Sequence, residues 1–373
     1  LDALLAIYPS EVLVGKDNFQ QEITYEKASP YRISISQTEE GEETAMVEVN
    51  LGLITKVRDY SHKKNGITVI LSSGTTATIK AFENDEVDGY LKETSILAED
   101  VNNGREMEEL LKQILPLAKE AWENATALPD GPVALQQFTS ERVVNSTFGD
   151  EEYVQSLEFL SGVGNAQIIT AGSANKDEET TYILSLADLD PKKIDITAKG
   201  NEIEVSLSTK KRSKYIEVQE EEDKSFDSSM ELIFDGFDDA QVFAYALKSL
   251  IEEAEKAVKA AIPSYTDTDA ALKQLSSLLE AAQIDNIDQV LAPQCRTTHE
   301  VQDGEDEFSY QFDFADLDVK DLSLAPKGDI VFLPLSTKSN EKFIGVKEGD
   351  EVKNYDNEVE FQFNSIAQAK MAT

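Results

Sequence analysis

Few residues in this chain are of a type and spacing that could do chemistry, and the first are two pairs of aspartates. Asp188 and Asp190 frame one leucine; Asp316 and Asp318 frame another. Carboxylates two positions apart offer the oxygen ligands that Ca²⁺ takes, but the ion needs six or more of them. Neither pair carries the glycine and closing glutamate of an EF-hand loop. The expected role is therefore a strand end, where an aspartate accepts backbone N–H bonds in a tight turn. Ca²⁺ ligation by these four residues is the alternative. His62 and His299 lack partners at metal-ligand spacing, and "THEVQ" around His299 is not the H-E-x-x-H zinc pattern. The single cysteine, Cys295, is a nucleophile only beside a base. His299 follows four positions later, in a strand-like stretch with nothing to orient it. There is no G-x-S-x-G elbow, Walker loop or dinucleotide fingerprint, and "SGVGNA" from Ser161 reads as a hairpin turn. No catalytic residue, cofactor or metal is assigned.

Charge narrows the partners. Lys+Arg number 34 against 72 Asp+Glu, a formal net charge of −38. Such a surface repels nucleic acid, whose binding depends on Lys and Arg displacing counterions, and it repels anionic lipid headgroups. Basic proteins and divalent cations remain. One cluster departs from this background: Lys210, Lys211, Arg212 and Lys214. It is the candidate partner-binding group, with salt bridges within the chain or to a partner as its expected use. The acidic run "QEEED" from Gln219 reads as a solvated loop. No run of ~18 apolar residues is present, so no membrane insertion is expected. The chain opens on Leu1, which suits a trimmed or processed form, and both an exported (periplasmic or secreted) and a cytoplasmic location fit.

The elements that position these residues come in copies. Residues 182–210, "YILSLADLDPKKIDITAKGNEIEVSLSTK", are echoed by 310–338, "YQFDFADLDVKDLSLAPKGDIVFLPLSTK". The offset is 128 at both ends, so no gap intervenes. Likeness continues through "KYIEV" at Lys214 and "KFIGV" at Lys342. It resumes, after one inserted residue, with "FDSSMELIF" at Phe226 and "YDNEVEFQF" at Tyr355. A third, more drifted copy starts at Met46. Each unit opens with a similar apolar helix start, at Ala3, Ala134 and Ala271. A period this long marks duplicated domains. Three tandem units are expected, 1–128, 129–264 and 265–373, with junctions at Pro129, Gly131 and Pro132 and at Pro263.

Within the middle unit a short helix over 133–142 precedes stretches that alternate with a period near two. "QIITA", "TYILSLA", "KIDITA", "EIEVSLS", "KYIEV" and "MELIF" read as half-buried antiparallel strands pairing as a meander. From Phe237 the spacing becomes three and four: Phe237, Ala240, Phe243, Ala244, Leu247, Leu250, Ile251, Ala254, Ala257 and Val258 mark one helix face. Asp235, Asp238 and Asp239 suit its N-terminus. Unit one has a matching stripe from Met107 to Trp122, with Pro116 predicting a kink or break. In unit three the final helix is truncated or vestigial.

Strands closed by a helix entered through Phe234, Asp235, Asp238, Asp239, Ala240, Phe243, Ala246 and Leu247 resemble pleckstrin-homology-like (PH-like) domains. That resemblance implies an α+β fold in which a C-terminal helix plugs a bent barrel, binding of phosphoinositides, peptides or protein surfaces, and, as in most members, no catalysis. The leading helices depart from it, as does the lone Trp122. A cystatin-like sheet with a covering helix is the fold alternative. What the copies share are strand, turn and core residues. The sequence therefore points to a non-enzymatic interaction or scaffold protein with a protein partner, the alternative being an extracytoplasmic ligand- or Ca²⁺-binding protein.

Overall fold

Period-two alternation dominates the sequence, and the secondary structure follows it: 46% of the chain is strand and 31% helix, an α+β fold of mostly antiparallel sheets. This computed structural model describes all positions except 41, 43, 59–65, 85, 149, 150, 161–164, 172–178, 221, 222, 262–264, 266, 283, 285, 286, 293–295, 305, 321 and 350. His62, Cys295, Pro263, the glycines of "SGVGNA" and two glutamates of "QEEED" lie outside the described residues.

The first run of elements is α1 (Asp2–Leu5), β1 (Glu11–Val14), β2 (Asp17–Tyr25), β3 (Arg32–Glu39), β4 (Thr44–Asn50), β5 (Lys56–Arg58), β6 (Ile67–Ser72), β7 (Ile79–Glu83), β8 (Glu86–Leu91), β9 (Glu93–Ala98) and α2 (Val101–Ala125). The next is α3 (Pro132–Ser140), β10 (Ser146–Phe148), β11 (Glu151–Glu158), β12 (Asn165–Ala171), β13 (Glu179–Ser185), β14 (Asp195–Lys199), β15 (Glu202–Ser208), β16 (Ile216–Glu220), β17 (Asp223–Asp227), β18 (Ser229–Phe234) and α4 (Phe237–Ala261). The last is α5 (Thr268–Glu280), β19 (Ile287–Ala292), β20 (Thr297–Asp303), β21 (Asp306–Phe312), β22 (Ala325–Lys327), β23 (Ile330–Ser336), β24 (Ile344–Glu348), β25 (Glu351–Asp356), β26 (Glu358–Phe363) and α6 (Ile366–Met371).

Pairing corrects the expected meander. The larger sheets run β1-β2-β3-β4-β7-β8, β10-β11-β12-β13-β16-β17 and β19-β20-β21-β24-β25; the smaller ones run β5-β6-β9, β14-β15-β18 and β22-β23-β26. Each chain run therefore leaves its larger sheet for two strands, returns for two more, and leaves again. Alternation marks a strand but not its partner, so "TYILSLA" was legible as β13 while its pairing with β16 was not. The departures occur at 3-10 turns, Leu186–Asp188 and Phe314–Asp316, and the returns at Lys210–Arg212 and Lys338–Asn340.

Burial explains the helices. α2 buries Met107, Leu111, Ile114, Ala118 and Trp122, one face from end to end. It passes through Pro116 without a break. A mid-helix proline costs about 3 kcal/mol, and apolar side chains buried on both sides of it, worth ~1.5–3 kcal/mol each, outweigh that. The first core joins Met107 and Leu111 to Leu4, Ile23, Ile35, Leu51, Leu71 and Ile96. α4 buries Phe237, Ala240, Phe243, Ala244, Leu247, Leu250, Ile251 and Ala254, as its spacing requires. The last core gathers Leu279, Phe312, Leu333, Phe361 and Phe363, and takes in Phe226 from β17. α1 is a single turn, and Pro9 follows it.

The chain divides into two compact units, Leu1–Tyr153 with Asp195–Ser206 and Glu231–Leu247, and Val154–Ile194 with Leu207–Met230 and Lys248–Thr373. Among the described residues no helix is long and apolar enough to cross a membrane.

Candidate functional site

The aspartate pairs are built into the sheet departures. Leu189 and Leu317, the residues they frame, are buried and bridge to Thr209 and Thr337. Asp190 N–H donates to the Ser208 carbonyl at 2.9 Å, and Asp318 N–H to that of Ser336 at 2.8 Å. Their carboxylates accept from the N–H of Lys192 at 3.0 Å and of Lys320 at 3.1 Å. These are turn bonds of the expected kind. Asp188 is held by Lys370, whose ammonium also lies 4.5 Å from the Tyr215 ring centre. Asp316 closes its 3-10 turn by donating its N–H to the Asp313 carbonyl at 3.0 Å. Among the described residues no group of three or more acidic, His or Cys side chains is placed to hold a metal.

The returns are built just as locally. Thr209 Oγ1 donates to the Ser213 carbonyl and Thr337 Oγ1 to that of Glu341, both at 2.5 Å. Lys210 Nζ reaches the Ala187 carbonyl and Lys338 Nζ that of Ala315, again both at 2.5 Å. Lys210 also pairs with Glu255 at 2.6 Å. Lys211 and Arg212 take positive φ, 56° and 55°, matched by Ser339 and Asn340 at 60° and 61°. That left-handed pair turns the chain sharply and leaves Lys211, Arg212 and Lys214 exposed. The structure thus breaks up the basic cluster, with Lys210 tied inward and the other three facing solvent.

Each unit holds a cleft among the described residues. The first, of about 160 Å³, lies between β3, β4, β7, β8 and the start of α4. At its centre Asp238 Oδ2 accepts from Arg32 Nη2 at 2.7 Å and from Asn50 Nδ2 at 2.9 Å. Asn50 is fixed in turn by the Gly52 N–H, 2.9 Å from its Oδ1. Burial holds the Asp238 carboxyl above the usual range, although Arg32 and Asn50 pull it down. Tyr90 Oη donates to the Asp235 carbonyl at 3.0 Å, and burial raises its phenol. The arrangement is an anchor: one carboxylate fastened by two donors where β3 begins and β4 ends, in the interior of the sheet. Sequence reading assigned Asp238 to helix capping and missed Arg32 and Asn50, which stand 206 and 188 positions away.

The second cleft, of about 410 Å³, is lined by Val301, Tyr310, Asp356, Asn357, Glu358, Glu360 and Gln362. Burial, then the Glu358 charge, raises Glu360. Beside the cleft His299 is fully buried, 4.8 Å edge-on from Phe361 and 5.9 Å from Tyr310. Neither ring nitrogen has a hydrogen-bond partner among the described residues. Burial pushes its pKa down to about 4, so at neutral pH it is an uncharged aromatic of the core.

No family model, curated protein or solved structure matches this chain.

Proposed function

We propose that the chain is three tandem copies of one sheet-plus-helix module, of PH-like kind, acting as a non-enzymatic scaffold that binds protein. The observation that carries this reading is duplication of internal bonds. Asp190 and Asp318, Thr209 and Thr337, and Lys210 and Lys338 make the same hydrogen bonds in two places. Gln21 and Gln289 do likewise, each exchanging two bonds with a strand of the smaller sheet. A β-bulge interrupts β7–β8 after Ala81 and β24–β25 after Val346, at the same distance from Ile79 and Ile344. Bulges are inherited features of a fold. The repeated polar residues therefore support shape, while the exposed faces differ from copy to copy. Faces that vary on a common frame suit recognition of protein surfaces.

Affinity capture with the intact chain, run beside a broad hydrolase panel, tests the reading. A saturable protein partner without turnover is expected. Turnover with no partner overturns it.

A further inference from the structure

The outer face of each larger sheet, near its last strand, meets a different fate along the chain. Register aligns the three faces: Tyr90 pairs with Lys80, Phe226 with Glu217, and Tyr355 with Gly345, one position beyond Ile79, Ile216 and Ile344. In the first unit the strand-to-helix junction after β18 covers the face of β8. Tyr90 Oη bonds the Asp235 carbonyl there, Arg32 bonds Asp238, and Lys80 lines the same cleft. In the second unit the junction after β26 covers the face of β17. Lys224 Nζ bonds the Asn364 carbonyl at 2.5 Å, Phe226 enters the last core, and Tyr215 packs against that core. Asp235 and Asn364 hold the same place, one residue after Phe234 and Phe363. Two junctions are thus made by one rule: an aromatic and a cation on the sheet face meet a following strand-to-helix turn.

The β25 face has the same parts and, among the described residues, nothing over it. Tyr355 is 55% exposed, Val352 53% and Phe343 49%. Phe343, which precedes Ile344, stands where Tyr215 precedes Ile216. Lys347 sits on the same face two positions after Gly345 and has no ion pair among the described residues. Three large apolar side chains grouped this way on one surface mark a binding face. The counterpart turn without a preceding sheet is that of the first run. There Glu99 and Asp100, both exposed, join β9 to α2.

We propose that the β25 face docks the Glu99–Asp100 turn of a second copy of this chain. The inference rests on the tandem-module scaffold reading and names its partner. Continuity with the two junctions already in the chain selects the occupant, and charge agrees, Lys347 standing opposite two carboxylates. Each copy carries both surfaces, so two copies can dock reciprocally and further copies can add head to tail.

Sedimentation velocity on the full chain, from low micromolar to near-millimolar concentration, tests this. The average mass should climb from 41.3 kDa to that of a dimer or beyond. Tyr355→Ser with Phe343→Ser should hold it at one copy with an unchanged urea midpoint. Lys347→Glu should weaken association at least several-fold, and Glu99→Lys added to it should restore it. A chain monomeric throughout, or association indifferent to Tyr355→Ser, overturns the proposal. So does a monomer that binds only a different protein, although that result leaves the scaffold reading intact; turnover in the hydrolase panel strikes the scaffold reading alone.

Discussion

Gln289 and Gln362 exchange two hydrogen bonds: Gln289 Nε2 donates to the Gln362 carbonyl at 2.8 Å, and the Gln362 N–H donates to Gln289 Oε1 at 3.0 Å. This joins β19 of the larger sheet to β26 of the smaller one through a side chain only 4% exposed. Gln21 closes the first run in the same way on Leu97. Gln289→Ala leaves both backbone groups of Gln362 buried and unpaired, at ~1–3 kcal/mol each. A loss of about 3 kcal/mol in urea unfolding is expected, with faster hydrogen exchange at the Gln362 amide. An unchanged midpoint contradicts the clamp.

The Arg32–Asp238 pair is lopsided, with side-chain exposures of 46% and 15%. Removing Arg32 strands a mostly buried carboxylate on Asn50 alone; removing Asp238 leaves a guanidinium that water reaches. Arg32→Ala should therefore destabilise by about 2 kcal/mol and Asp238→Ala by about half of that. Urea midpoints of the two variants measure the order, and the reverse order refutes the assignment.

His299 makes stability depend on pH with a defined sign. Its folded pKa, about 4, lies below the ordinary 6.5, so the unfolded chain binds the proton first as pH falls. Its contribution is complete above pH ~6.5 and declines towards pH ~4, by about 3 kcal/mol in all. Glu360 and Asp238, raised by burial, act with the opposite sign at the acid end. The difference between the parent and His299→Leu isolates the histidine. Unfolding curves at pH 7, 5.5 and 4 should show the variant gaining on the parent as pH falls; parallel behaviour contradicts a buried neutral ring.

Legibility followed physics. The strands from "KIDITA" to "MELIF" and the α4 face could be read because one-sided burial imposes a period that sequence records. The 128-residue echo marked the turns now seen at Leu189, Thr209 and Lys210, though not that they switch sheets. Gln21, Gln155 and Gln289, all buried and 134 positions apart, were a readable signal that the echo's drifted first copy hid. Arg32, Asn50 and Asp238 were not readable, since contacts across some 200 positions leave no local pattern. The exposed β25 face became visible only once register matched Tyr355 to the covered Phe226.

That repeated polar residues hold up the fold is the claim on which the rest stands, and Thr337→Val tests it most directly by equilibrium urea unfolding. Valine keeps the size of threonine and deletes the donor to the Glu341 carbonyl. The account predicts a loss of about 1 kcal/mol, repeated in Thr209→Val, from one hydroxyl hydrogen bond in each; the two carbonyls keep the N–H of Phe343 and of Tyr215. A variant as stable as the parent, or more stable, as residues reserved for function often give when replaced, would contradict it.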